Sequence, residues 1–140
     1  MIDRIRQGLN YMYGVYNERD DELARKYLSA KEYEIFIGMS NYDKVHSIEV
    51  LKMLLEDDKL CYKKEYIKLA LLHDCGKEGA GLLKRMKKVI VGDRRLEDHP
   101  ERSYELLKEI NPKVAKLSRA HHRKDVPKDL KRFQDIDDHC

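Results

Sequence analysis

The side chains in this sequence best suited to chemistry are its histidines and the aspartates around them. Five of the six histidines occupy ordered positions: His46 in an apolar-periodic stretch, His73 beside Asp74, His99 before Pro100, and the adjacent pair His121 and His122. Imidazole and carboxylate together suit first-row transition ions, and a carboxylate has two oxygens with which to bridge two of them, which imidazole cannot do. Asp74 is therefore the candidate bridge. The sixth histidine, His139, reads as an ordinary surface or satisfied core residue. His122 needs a local turn or a second ion to join His121, because adjacent residues on a helix point about 100° apart.

The elements that must position these residues read as consecutive helices. A first helix is expected from about Asp3 to Tyr16, and a second begins at a cap supplied by Asp20 or Asp21 and runs to Leu28. A third covers Ala30 to Met39. The fourth starts near Asp43, an acidic residue suited to a helix N-terminus, and its apolar positions Val45, Ile48, Leu51, Leu54 and Leu55 keep the helical period as far as the Glu56-Asp57-Asp58 turn. From Lys63 to Asp74 a dense apolar run, Ile67 and Leu69 to Leu72, leads directly into His73, with Gly76 as a natural helix stop. Leu82 to Val91 is expected to be helical, although β-branching at Val89-Ile90-Val91 leaves a short strand open. Pro100 and Pro112 look like first-turn prolines of helices over Glu101 to Ile110 and Lys113 to His121, with Asn111 as N-cap of the second. A last helix runs from Lys128 to the end. Tyr11, Tyr13 and Tyr16 read as core and interface aromatics.

Composition narrows the class. At 140 residues the chain fits one domain; 41% hydrophobic and 39% charged residues suit a helical core with a charged exterior, and a net charge of +3 against 29 basic and 26 acidic residues gives no argument for nucleic acid or a membrane surface. The basic cluster Lys84, Arg85, Lys87, Lys88, Arg94 and Arg95 reads first as a solvated helix face, with steering of an anionic substrate as the alternative. Cys61, Cys75 and Cys140 form no C-x-x-C pair, which points away from a disulfide framework or zinc knuckle and toward a reducing compartment. No leader-like or membrane-length apolar run occurs, so a cytoplasmic location is expected.

The order of the histidines and aspartates resembles the HD superfamily, in which an early histidine, a His-Asp pair, later histidines and a final aspartate converge from separate helices on a metal centre. The resemblance runs from Asp43 to Cys140 and is carried by His73-Asp74-Cys75-Gly76-Lys77, Asp98-His99-Pro100 and Ala120-His121-His122. Those motifs look most like the HD-GYP phosphodiesterases, but Arg123-Lys124-Asp125-Val126-Pro127 stands where the Gly-Tyr-Pro segment of that group belongs, so the resemblance does not extend to its cyclic dinucleotide specificity. It implies an all-α HD-type bundle over residues 1–140, with residues 1–42 packing as N-terminal helices on a metal-site core of residues 43–140. It implies that His46, His73, Asp74 and Asp137 hold one ion, with Asp138 as the fallback for Asp137, and that Asp74 bridges to a second ion held by His99, His121 and His122. Cys75 occupies a variable, usually apolar place in the motif and reads as a small packed residue. Lys77 corresponds to a lysine that contacts substrate phosphate; it shares a face with His73 if the helix continues and is delivered by a turn if Gly76 ends it.

The function implied is metal-dependent hydrolysis of a phosphate mono- or diester, with a nucleotide as the expected substrate. In such centres two metals about 3.5 to 4 Å apart share a hydroxide aimed at phosphorus. Asp74 and Lys77 are then the catalytic residues, and Asp125, Arg123 or a water supplies the leaving-group proton. Iron or manganese is preferred, zinc, nickel and cobalt fit, and magnesium suits so many nitrogens less well. No membrane and no stable nucleic-acid complex is expected, and the oligomeric state is open. Two alternatives stand beside this reading: a di-iron oxygenase of the same fold, and a non-catalytic nucleotide sensor.

Overall fold

A computed structural model describes residues 16–77 and 99–140 and, at His99, the backbone alone. The regular structure of these residues is helical, with no strand among them, so the all-α expectation holds. The elements are α1 (Glu18–Tyr27), α2 (Ala30–Ile37), α3 (Asn41–Leu55), α4 (Lys64–Leu72), a 3-10 turn (Cys75–Lys77), α5 (His99–Leu107), α6 (Pro112–Ala120) and α7 (Lys128–His139). The expected first helix, apart from Tyr16, and the expected Leu82 to Val91 element lie outside the described residues, as do Tyr11, Tyr13 and the Lys84 to Arg95 cluster.

Short polar side chains set where the helices start. Asn17, rather than Asp20 or Asp21, caps α1, its side chain accepting from the Asp20 amide; the two aspartates then lie in the first turn, where negative charge is favoured. Ser29 and Glu32 form a capping box on α2, Ser40 caps α3 by accepting from the Asp43 amide, and Asn111 caps α6 ahead of Pro112. α4 ends one residue before His73, and the chain passes through Asp74 into the 3-10 turn; Gly76 lies within that turn rather than closing the helix.

One apolar core joins the seven helices of the described residues, with Phe36, Leu51, Leu54, Leu69, Leu71, Leu72, Leu107, Leu130 and Phe133 buried. Each such side chain contributes roughly 1.5–3 kcal/mol by leaving water. α7 stacks on this core through Leu130, Phe133 and Ile136 and is held from outside by Arg132, whose Nε lies 2.8 Å from each carboxylate oxygen of Asp57. A Lys63–Asp129 ion pair adds a second tie at its start.

A buried carboxylate joins three elements behind the site. Glu32 is 2% exposed; its Oε1 accepts from Lys68 Nζ of α4 and from the Ser29 amide, each at 2.8 Å, and its Oε2 from Asn111 Nδ2 at 2.9 Å. Burial pushes this carboxyl up, but the three donors outweigh it and hold it below the ordinary glutamate value. No helix of the described residues is long and apolar enough to cross a membrane.

Candidate metal centre

Two helix ends supply the buried imidazoles. His73 is the C-cap residue of α4 and His121 the C-cap residue of α6. Each ring turns back on its own helix: His73 Nδ1 lies 3.0 Å from the Ala70 carbonyl and His121 Nδ1 2.5 Å from the Ser118 carbonyl, both three residues earlier. A carbonyl only accepts, so Nδ1 carries the proton in both rings, and Nε2 is the nitrogen turned toward the centre. His73 is fully buried and His121 is 1% exposed.

The His73 to Gly76 backbone is clamped by two buried serines that the sequence did not single out. Ser103 Oγ accepts from the Gly76 amide at 2.9 Å and donates to the His73 carbonyl at 3.3 Å, and Ser118 Oγ donates to the same carbonyl at 3.3 Å. Ser103 lies on α5 and Ser118 on α6, so the turn bearing the His-Asp pair is tied to both helices. Their signal in the sequence is slight: small residues on otherwise buried helix faces.

α3 and α7 close the other side. His46 Nε2 donates to Asp137 Oδ1 at 2.9 Å and lies 3.9 Å from Asp74 Oδ2, while His73 Nε2 lies 3.2 Å from both Asp74 Oδ2 and Asp137 Oδ1. The His73 ring stands 5.6 Å from His46, 5.3 Å from His121 and 5.5 Å, edge to face, from Phe133. Ligating atoms of His46, His73 and Asp74 lie within 4.8 Å of one another, as do those of Asp74, His121 and His122; Asp74 belongs to both groups.

The His121–His122 turn follows the end of α6 and brings the two rings to 3.9 Å, so the local turn that His122 required is present. Asp137 meets the cluster while Asp138 is exposed, and the period of α7 explains the difference: Asp137 follows Phe133 by four residues on the buried stripe. His99 opens α5, and its side chain lies outside the described set. Lys77 is delivered by the 3-10 turn, its Nζ 3.6 Å from Asp74 Oδ2. Asp125 and Arg123 are both exposed. His139 is exposed and donates from Nδ1 to the Asp135 carbonyl, an ordinary role. Cys75 is buried, and burial pushes its thiol up to about 12, so it packs as a neutral side chain.

Electrostatics favour a cation here. Burial alone would lower the His73 pKa, but Asp74 and Asp137 reverse that and hold it well above the ordinary value. Asp137 moves the opposite way, burial notwithstanding, because His73 and His46 hold it far below the usual carboxylate range. His121 falls to about 3 through burial and the neighbouring imidazoles His73 and His122, and so presents a neutral ring with a lone pair. His73 Nε2 is buried beside two carboxylate oxygens, yet off line for a hydrogen bond to either. A buried nitrogen aimed between two carboxylates, with the neutral His121 ring alongside, fits a divalent transition ion.

The pattern of one family, described as HD domain, matches residues 44–138. No curated protein and no solved structure matches the chain.

Proposed function

The chain belongs to the HD domain family, and on that footing we propose that it is a phosphohydrolase acting on a phosphate mono- or diester, a nucleotide among them, through two divalent transition ions. The observation that carries this reading is Asp74, shared by two His-containing ligand groups and flanked at 3.6 Å by the Lys77 ammonium. His46, His73, Asp74 and Asp137 would hold one ion; His121 and His122, joined by His99, would hold the other, with Asp74 common to both. Iron or manganese suits this mixed nitrogen and oxygen set best. Bound there, such ions lower the pKa of water and draw charge from phosphoryl oxygens.

The protein's own contribution is order and charge. Hydrogen bonds to Ala70 and Ser118 fix the tautomers of His73 and His121 without help from the substrate. Lys77 stands beside Asp74 on a backbone turn held by Ser103, placed to hold a phosphoryl oxygen and to offset the charge that grows on it during attack. No serine or cysteine nucleophile is needed, and the neutral, buried Cys75 is not one.

The test combines elemental analysis of the purified protein with a screen of phosphomonoesters and phosphodiesters, nucleotides included, with and without manganese. About two ions per chain and metal-dependent phosphate release are expected. Asp74→Ala should lose metal and activity together, whereas Lys77→Ala should keep its metal and turn over more slowly. Two irons without phosphate release would instead favour an oxygenase, and full activity in Asp74→Ala would exclude the shared carboxylate.

A further inference from the structure

Beside the metal cluster lies an open cavity of about 450 Å³, lined by His121, His122, Arg123, Lys124, Lys131, Gln134, Asp135, Asp137 and Asp138. His121, His122 and Asp137 belong to the centre already described. The other six, from the turn after α6 and from α7, have no part in it. Among the described residues no aliphatic or aromatic side chain lines the cavity apart from the two imidazoles, so these walls offer charge and hydrogen bonds rather than an apolar face.

Three of those six are cations. Among the described residues, Arg123, Lys124 and Lys131 have no carboxylate within ion-pair distance, although Asp135 and Asp138 share the cavity with them. The wall that carries two of the cations is built to stay in place. Gln134 Nε2 donates to the His121 carbonyl at 2.8 Å and to the Arg123 carbonyl at 2.7 Å, which pins the turn to α7 next to Asp137. A small uncharged leaving group would use none of this. A leaving group that carries a phosphate and hydroxyls would use all of it, the cations taking the anion and the carboxylates accepting from hydroxyls.

We propose that this cavity is a subsite for a second phosphate on the leaving-group side of the substrate, held by Arg123, Lys124 and Lys131, so that the preferred substrates are polyhydroxylated bisphosphates rather than simple monoesters. This rests on the phosphohydrolase reading of the adjoining centre for its orientation but not for its measurement. Gln134 is a positioning residue that presents the cations.

The experiment is isothermal titration calorimetry of the manganese-loaded protein with fructose 1,6-bisphosphate and with fructose 6-phosphate, a pair differing by one phosphate. Wild type should bind the bisphosphate about ten-fold more tightly or better, the scale of one charge-assisted hydrogen bond. In the Lys124→Ala/Lys131→Ala double variant that ratio should fall most of the way to one, and in Lys124→Arg/Lys131→Arg it should persist. Equal affinities in wild type, no binding of the bisphosphate, or a ratio that survives the alanine variant each overturn the proposal. Phosphate release across the wider ester panel separates the two readings. Preference in binding without release of phosphate from any ester keeps the subsite and removes the hydrolase; release without preference keeps the hydrolase and removes the subsite.

Discussion

Replacing Glu32 by alanine should be among the most damaging single changes outside the candidate metal centre. The carboxylate is 2% exposed, makes three hydrogen bonds at 2.8 to 2.9 Å, and joins α2 to α4 and to the cap of α6, the two helices that end in His73 and His121. Breaking a buried ion pair costs about 3–5 kcal/mol, and loss of one half of a capping box adds roughly 0.5–1 kcal/mol. Lys68 keeps 25% of its side-chain surface, so it can turn partly to water. We therefore expect a net loss of about 2–4 kcal/mol, a large fraction of the roughly 5–15 kcal/mol of a typical domain.

Urea unfolding followed by circular dichroism at pH 7 measures this loss directly, with Glu32→Gln as the isosteric control, expected to lose less. The pH dependence has a definite sign. Because the folded Glu32 pKa is depressed, its charge stabilises the fold fully above the unfolded value of about 4.3, and that stabilisation is lost as pH falls through the lower folded value. The gap between wild type and Glu32→Gln should thus hold from pH 7 to about 5 and narrow below about 4. A loss under about 1 kcal/mol in Glu32→Ala, or a gap that widens on acidification, would refute the reasoning.

Other substitutions probe the site itself. Ser103→Ala should cost about 1–3 kcal/mol because the buried Gly76 amide loses its acceptor, and metal affinity measured by chelator competition should drop roughly ten-fold or more as the His73 to Lys77 turn loosens; Ser118→Ala should do less, since the His73 carbonyl keeps Ser103. Asp137→Asn should sharply reduce metal content by elemental analysis while Asp138→Asn leaves it near wild type; the reverse result would move the last ligand by one residue. Cys75→Ala should retain its metal and destabilise by about 1 kcal/mol, the loss of one small buried group, and a lost ion would overturn its packing role.

Much of this arrangement was legible beforehand where it depends on local chemistry. The apolar period around His46, the dense run before His73 and the Asn111-Pro112 start each report a helix through forces acting within a few residues. The order of His46, His73-Asp74, His121-His122 and Asp137 carried the site because family resemblance encodes long-range convergence that periodicity alone cannot. Contacts that depend on how helices pack stayed hidden. Glu32 falls within the expected Ala30 to Met39 helix as one more charged residue, and only tertiary structure brings Lys68 and Asn111 to it. Ser103, Ser118 and Gln134 are equally silent, since a serine or glutamine that satisfies a distant backbone group looks like any surface residue until the partner is in place. α1 starts earlier than the expected Asp20 or Asp21 cap because Asn17 and the two aspartates are all competent caps, and a cap three residues earlier adds nearly a turn of helix.

The placement of His73 and His121 at helix C-caps has an electrostatic consequence of its own. The aligned peptide units of a helix leave roughly half a negative charge at its C-terminal end, and α4 and α6 both deliver that end to the candidate metal centre. The backbone therefore lends the centre a negative potential before any carboxylate is counted. Neutralising Asp74 or Asp137 would remove candidate ligands and charge, but two converging dipoles would still favour a cation over an anion at this point.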